Sequence, residues 1–243
     1  VVEWGDADAM VQPAFDGRTT AISSTSMAMF DAIGIGAQIR DQGCPIRTIW
    51  VSDQLKPGEL DFSPDDSDDA LGYMFENRVL RVALLAGMRE APDIALHMPA
   101  RAVAKERGPH GVTVTLDNGA VLKGALLVAA EGRRSDTRDD AGFKLAQWQY
   151  DHIAIVGAIY HADPHNNVAY EIFYPSGPFA LLPMNDEGGR HRSAFVWSVP
   201  RARAAGYQKL SDAAFLDAMH REMQGMLGDI DLAAPRMAYP LSF

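Results

Sequence analysis

The strongest constraint on the fold of this chain comes from the residues after position 150, where four strand-like segments follow one another. They read HIAIVGAIYHA, NVAYEIFY, FALLPM and RSAFVWSVP, and Pro, Gly and Asn turns separate them. β-Branched and aromatic residues favour extended backbone, and short connections between strands favour antiparallel pairing. This half of the chain therefore predicts an antiparallel sheet.

Three segments have the apolar spacing of helices, at residues 23–40, 76–93 and 211–227. Ser211 stands where it can cap the third helix. That helix has one apolar stripe, formed by Phe215, Met219 and Met223. Because methionine stripes pack in protein cores more often than they form binding surfaces, we expect this stripe to be core.

Strand patterns also precede position 150. Residues 46–53 and 58–62 predict a pair of strands, and residues 111–124 predict a hairpin that turns at Asn118-Gly119. The run ALLVAA that follows is continuously apolar, which is typical of a strand buried on both faces. Together with the helices, these strands predict an α/β (α+β) fold.

Composition excludes several classes of function. The formal net charge of −10 argues against nucleic acid as a partner, and any lipid contact would be local and peripheral. No apolar run approaches the roughly 18 residues that a membrane-spanning helix needs. The single cysteine, Cys44, cannot form an internal disulfide. His161 and His165 are four residues apart, but Pro164 disfavours the helical turn that would join them, so we expect no metal site.

The segment LLVAAEGRRSDTR (126–138) predicts a buried strand that ends in an acid, a glycine and a basic turn. In nucleotide-binding sheets, ligands lie beyond the carboxyl ends of the strands, so Glu131 and Gly132 are candidates to lie beside a cofactor. The alternative is that an acid and a glycine simply terminate a buried strand. From these residues alone, both interpretations stay open.

Five motifs in order along the chain resemble those of one enzyme family. They are GRTTAIS (17–23), ENRVLRVALL (76–85), LLVAAEGRRSDTR (126–138), PHNNVAYEIFYPSGPFALLPM (164–184) and SAFVWSVP (193–200). The chain resembles the class A flavoprotein aromatic hydroxylases, and within them the ubiquinone-biosynthesis hydroxylases that oxidise polyprenylated phenols. One departure is Glu131, which stands where the family usually has Asp.

The resemblance implies a division into two domains. Residues 1–45 and 70–147 would form a partial, Rossmann-like FAD-binding domain, and residues 46–69 and 148–243 an antiparallel substrate-binding sheet with flanking helices. The residues that the family motifs assign to the cofactor are Glu3, Arg18, Arg78, Glu131 and Gly132.

For the substrate, the family position of GPFALLP (177–183) implies that one alternating face of this strand contacts the phenol. We expect Phe179 and Leu181 to form that face, the alternative being that both pack only in the core. His165 is a candidate base from its place in the family motif, the alternative being that it orders the turn beside Pro164. No catalytic residue is assigned.

The chain begins with VVE, which resembles the end of the second strand of such a flavin-binding fold, with Glu3 as the acid that holds the ribose. The glycine fingerprint that normally precedes this strand is not found, and the chain ends before the family's later G-D segment. We therefore expect an internal fragment of a larger enzyme, and we expect these 243 residues alone to hold no FAD.

The implied activity of the parent enzyme is FAD-dependent hydroxylation of a polyprenylated phenol, with NAD(P)H or a partner reductase as the electron donor. The implied location is the cytoplasm, with peripheral contact at the inner membrane and a ubiquinone-biosynthesis protein complex as partner. Two alternatives remain open. The first is a non-catalytic lipid-binding or scaffold subunit of the same pathway, and the second is a flavin hydroxylase of a soluble aromatic compound.

Overall fold

A computed structural model of the chain describes residues 1–11, 15–56, 60–64 and 70–242. The helices in these ranges are α1 (Ala7–Met10), α2 (Ser24–Ala32), α3 (Gly36–Ile39), α4 (Asn77–Glu90), α5 (Asp136–Asp140), α6 (Arg201–Lys209) and α7 (Asp212–Met223). Two short 3-10 turns lie at Arg40–Gln42 and Gly132–Arg134.

Strands are more numerous than helices. They are β1 (Thr19–Ser23), β2 (Cys44–Ile46), β3 (Thr48–Asp53), β4 (Leu60–Phe62), β5 (Gly72–Glu76), β6 (Ala102–Gly108), β7 (Gly111–Leu116), β8 (Val121–Gly124), β9 (Gln149–His161), β10 (Val168–Tyr174), β11 (Gly177–Glu187), β12 (Arg190–Pro200), β13 (Ile230–Leu232) and β14 (Met237–Ser242). The mixed α/β class predicted from the sequence is confirmed.

The chain forms two compact units, one from residues 1–12 and 85–147, and the other from residues 13–84 and 148–243. The division into compact units does not show which unit binds the cofactor and which binds the substrate. The division into a cofactor domain and a substrate domain therefore stays a prediction.

In the first unit, β6, β7 and β8 form an antiparallel sheet in that order. The hairpin between β7 and β8 turns at Asn118-Gly119, as predicted. Alternate side chains of β7 are buried and form a small core with Ala100: Val112, Val114 and Leu116. The apolar face of this hairpin therefore packs in this small core, and its other face is turned towards solvent.

Residues 125–130 differ from their prediction. β8 ends at Gly124, and the run ALLVAA that follows has no strand geometry. Leu126 and Val128 are 80% and 75% exposed. An apolar run becomes a buried strand only where neighbouring strands satisfy its backbone N–H and C=O groups, and no described strand pairs with this run. The prediction of a strand buried on both faces is wrong.

The second unit is built on an eight-stranded sheet in the order β13-β9-β12-β11-β10-β3-β4, with β14 also paired to β9. The pairs among β9, β10, β11 and β12 are antiparallel, as predicted. β10 pairs with β3 in parallel, and β3 pairs with β4 antiparallel. The strand pair predicted at residues 46–53 and 58–62 is thus confirmed, although residues 58 and 59 lie outside the described ranges.

One face of this large sheet packs against α7. The apolar stripe of α7 is fully buried there, at 0% exposure for Phe215, Met219 and Met223. The ring of Phe215 lies 5.7 Å from that of Trp197 on β12, measured between centroids. Full burial of one such side chain contributes about 1.5–3 kcal/mol. The methionine stripe is core, as predicted.

A small sheet in the same unit has the order β1-β5-β2 and packs against helical residues through Met27, Ile39 and Phe75. The helix predicted at residues 23–40 is interrupted here. α2 ends at Ala32, and Gly34 has φ of +79°, a left-handed conformation that glycine adopts without strain and that commonly ends helices. α4 forms within residues 76–93, as predicted.

Candidate functional site

The small sheet brings together two arginines that the resemblance assigns to FAD. In the antiparallel pair of β1 and β5, Thr19 lies opposite Glu76. Arg18 therefore lies beside the start of α4, and its carbonyl oxygen accepts a hydrogen bond of 3.0 Å from the N–H of Asn77. Arg78 follows in the first turn of α4. The strand pairing thus joins two motifs that are distant in sequence.

Asp16 forms hydrogen bonds with two arginines of this region. Its Oδ2 accepts hydrogen bonds from Arg18 Nη2 at 2.6 Å and from Arg81 Nη2 at 3.0 Å. Burial by itself would raise the pKa of Asp16, but the hydrogen bonds from Arg18 and Arg81 outweigh burial and lower this pKa to about 2. The carboxylate is therefore charged across the physiological range and holds both guanidinium groups in place.

Glu76 links the same region to the large sheet. Its Oε2 accepts from Arg78 Nε at 2.5 Å, and its Oε1 accepts from Arg192 Nη2 at 2.6 Å. Glu76 and Arg192 are both buried, at 8% and 5% exposure. A buried carboxylate between two guanidinium groups is compensated, and its position fixes the orientation of Arg78.

The donor set at this location fits an anionic part of FAD. The side chains of Arg18 and Arg78 are 50% and 34% exposed, and each is held by one carboxylate, Asp16 and Glu76 respectively. The backbone amides at the start of α4 add the positive end of a helix. Guanidinium groups and helix N-termini are the usual partners of a pyrophosphate.

Glu3 lies in the first unit. Val2 forms a parallel bridge with His97, as expected for the end of a strand. Glu3 Oε1 accepts a hydrogen bond of 2.7 Å from the N–H of Gly5, which orders the turn that follows. Its Oε2 has no hydrogen-bond partner in the described part of the chain. One carboxylate oxygen is thus available to a ribose hydroxyl, and that role stays a prediction.

Glu131 is occupied by its own loop. Its carboxylate accepts from Ser135 Oγ at 2.5 Å, from the N–H of Thr137 at 3.0 Å and from Thr137 Oγ1 at 2.8 Å. The hydrogen bond from Ser135, with those from Thr137, holds the pKa of Glu131 below its usual value. Gly132 has φ of +75°, and a Cβ there would meet no atom within 4 Å. Glu131 therefore shapes a turn in which the Gly132 backbone is open.

His165 is buried, and both of its ring nitrogens have partners. Nε2 lies 2.9 Å from the carbonyl oxygen of Met184, and Nδ1 accepts from the N–H of Asn167 at 3.0 Å. A carbonyl only accepts, so the ring hydrogen is on Nε2. Burial lowers the pKa of His165, so the ring is neutral. This geometry is that of a residue that orders a turn, and a contact with substrate stays a prediction.

Phe179 and Leu181 are 0% and 1% exposed. Both belong to the core between the large sheet and α7, and the ring of Phe179 lies edge-on to that of Trp197 at 5.8 Å. Side chains alternate between the two faces of a strand, so a ligand on the other face would not touch them. The structure thus places the predicted substrate residues where the alternative expectation put them, in the core.

The second face of the large sheet, defined here by the side chains that alternate with Phe179 and Leu181, is the more accessible one. Its side chains form two rows across the strands: Phe62, Ile49, Ala169, Leu182 and Ala194, and beside them Leu60, Val51, Glu171, Ala180 and Val196. At the β4 edge Phe62 is 51% and Leu60 62% exposed, whereas the alanines are nearly buried. Towards β12 this face is covered, because Ala194 and Leu182 belong to one core cluster with Cys44 and Met74 of the small sheet. The face is open mainly at β3 and β4, and a substrate contact at Phe179 or Leu181 stays a prediction.

Two other kinds of site are absent from the described residues. Among the described residues, no group of three or more His, Cys, Asp or Glu side chains is arranged to hold a metal ion. No helix within the described ranges is long and apolar enough to cross a membrane.

Comparison with known proteins agrees with this geometry. The sequence profile of the FAD binding domain family matches residues 7–233. Ubiquinone hydroxylase UbiL of Rhodospirillum rubrum is 34% identical over 242 residues, which is 100% of this chain and 56% of UbiL. The human mitochondrial ubiquinone biosynthesis monooxygenase COQ6 is 29% identical over 218 residues, 85% of this chain and 45% of COQ6. The chain spans about half the length of the curated relatives it matches, and the resemblance inferred from the motifs is confirmed.

Solved structures show the same fold. The crystal structure of pqsL, a probable FAD-dependent monooxygenase from Pseudomonas aeruginosa, has a TM-score of 0.73 at 18% identity and covers 94% of this chain and 60% of that chain. Klebsiella pneumoniae HpxO complexed with FAD and uric acid has a TM-score of 0.66 at 17% identity, covering 92% of this chain and 58% of that chain. At these identities the likeness shows the fold alone.

Proposed function

Because the chain belongs to the FAD binding domain family, we propose that it is part of an FAD-dependent monooxygenase that hydroxylates a polyprenylated phenol in ubiquinone biosynthesis. UbiL and COQ6, two of its relatives, are named for that pathway. The observation that carries the proposal is the part of the second face at β3 and β4, where apolar side chains are partly or largely exposed to solvent.

The phenol ring lies on this face over β3 and β10, where Ile49 and Val51 are partly exposed beside the short side chains of Ala169 and Ala180. The polyprenyl tail runs outwards along the rows to Leu60 and Phe62. From β11 to β4 there are three strand spacings, or roughly 14 Å at the usual separation of 4.7–4.9 Å. Such a path accommodates several carbons of an apolar tail and releases its end at the β4 edge.

FAD, when bound, supplies the oxygen-activating chemistry. The residues of this chain hold it: Arg18 and Arg78 bind its anionic part, and Glu3 accepts a hydrogen bond from a ribose hydroxyl. Glu131 acts by shaping the turn that presents the Gly132 backbone. The apolar second face also excludes water from the ring, which limits side reactions with water during oxygen transfer.

Three parts of the proposal rest on the resemblance alone. Electrons come from NAD(P)H or from a partner reductase. The protein is cytoplasmic and contacts the inner membrane peripherally, and it associates with a ubiquinone-biosynthesis protein complex.

The test uses the FAD-retaining form of the protein, supplied with a reductant, isotopically labelled oxygen and a prenylated phenol. We expect a product that carries one labelled oxygen atom on the ring, and a much higher Michaelis constant for the same phenol without its tail. A colourless protein that binds the phenol but forms no product would support the scaffold alternative. Equal turnover of a soluble aromatic acid would support the third alternative.

A further inference from the structure

Glu171 is the charged residue in the two rows of the second face. It lies in the middle of β10, between Val51 of β3 and Ala180 of β11, and Ala169 and Phe173 flank it on the same face of its own strand. None of these four neighbours has a side chain that can form a hydrogen bond. The carboxyl group is therefore surrounded by apolar groups at the position where the phenol ring is proposed to lie.

Glu171 is half-buried, and its side chain has no hydrogen-bond or ion-pair partner in the described part of the chain. The residues outside the described ranges include no Lys, Arg or His. Buried polar groups normally have a partner, and exceptions concentrate at functional sites. An unpaired carboxyl group on an accessible apolar face is suited to a partner on a ligand.

We infer that Glu171 accepts the hydroxyl proton of the phenol bound on the second face, an inference that rests on the proposed function. The O–H bond of the phenol breaks, the proton moves to a carboxylate oxygen of Glu171, and the electron pair stays on the phenol oxygen. The ring carbons ortho and para to that oxygen become more nucleophilic, as oxygen transfer to a ring requires. The proton returns to the phenolic oxygen of the product, so Glu171 is regenerated and the step needs no oxidant.

The electrostatic surroundings are compatible with this role. Burial raises the pKa of Glu171, which brings it closer to that of a phenol and makes the transfer less uphill. On the neighbouring strands, two charged groups have the same alternation. Asp53 of β3 is paired with Lys56, and Asp186 lies at the far end of β11, where it contacts His191. Both carboxylates are thus engaged by partners of their own.

The decisive variant is Glu171→Gln, which keeps the size of the side chain but cannot take up a proton. We expect kcat for a prenylated phenol to fall about 100- to 10,000-fold, the usual contribution of general acid–base catalysis, with a nearly unchanged Michaelis constant. Glu222→Gln is the matched control, because burial also raises the pKa of Glu222 but this residue lies on α7, which packs on the opposite face. Glu222→Gln should retain wild-type kcat and pH profile.

A prenylated phenol with halogen substituents is already ionised at the assay pH. It therefore distinguishes a proton-accepting role of Glu171 from a purely structural one. It should restore most of the activity of Glu171→Gln. Wild-type activity should fall as the pH drops through the raised pKa of Glu171, and this acid limb should be missing in Glu171→Gln. Activity of the variant should instead rise with pH as the phenol itself ionises.

Each other outcome decides against the inference or against its premise. If the wild-type protein hydroxylates no prenylated phenol, the proposed function itself fails. If the wild type is active and Glu171→Gln is within threefold of it with the same pH profile, Glu171 is not the proton acceptor. If Glu171→Gln is equally inactive on the ionised and the neutral phenol, the residue is structural and the inference is overturned.

Discussion

The buried ion pair between Glu76 and Arg192 predicts a large loss of stability for Arg192→Met. Nη2 and Oε1 are 2.6 Å apart, and the side chains of Arg192 and Glu76 are 6% and 9% exposed. Methionine approximates the volume of the arginine stem but leaves the Glu76 carboxylate buried with Arg78 as its remaining cation. Removing one partner of a buried pair costs about 3–5 kcal/mol, and the retained Arg78 favours the lower end of that range.

For a unit of this size, a loss of about 3 kcal/mol corresponds to a fall in melting temperature of roughly 6–12 °C. Urea unfolding followed by circular dichroism measures the free energy directly. The control is Arg78→Met, because Arg78 contacts the same carboxylate but is 34% exposed and should contribute less than about 1 kcal/mol. In the double variant Glu76→Gln with Arg192→Met, part of the loss should be recovered because no uncompensated buried charge remains. If Arg192→Met costs no more than Arg78→Met, the buried pair does not stabilise the junction.

Three further predictions concern the sheet and the arginines. Leu181→Ala should cost about 2–5 kcal/mol of stability through a core cavity, with substrate kinetics unchanged, and calorimetry with steady-state assays checks this. Ala180→Phe should weaken binding of a prenylated phenol at least tenfold in a titration while flavin content stays normal, and unchanged affinity would contradict the proposed binding face. The pKa of Asp16 is depressed to about 2, so its stabilisation is complete above the unfolded pKa of about 4 and is lost as the pH falls towards 2. Asp16→Asn should remove roughly 1–2 kcal/mol at pH 7 and flatten this part of the pH–stability curve, as measured by urea unfolding.

Local patterns were sufficient to predict β9 to β12 of the large sheet, the β7–β8 hairpin and the helices α4 and α7. The segments around β9 to β12 are rich in β-branched and aromatic residues and are separated by short turns, so antiparallel pairing followed directly. The stripe on α7 identified its buried face for a similar reason, since Phe215, Met219 and Met223 recur at helical spacing. In these cases, the secondary-structure propensity and the apolar periodicity of the sequence agree with the packing of the folded chain.

Pairings between distant segments could not be predicted from such patterns. Glu76 and Arg192 are 116 residues apart in sequence, and their contact depends on both sheets being formed. The apolar run at residues 125–130 illustrates the converse. Its composition favours a buried strand, but a strand is stable only beside a partner, and composition does not report whether one is present.

Glu171 shows how register decides the meaning of a residue. In NVAYEIFY it shares its alternation with Ala169 and Phe173, and a glutamate in a half-buried strand is ordinarily on the solvated face. Pairing with β3 and β11 places Val51 and Ala180 on either side of it, so its face is apolar. The same carboxyl group that would be unremarkable in water becomes an unpaired acid on an apolar surface, which is why its chemistry is expected to involve a ligand.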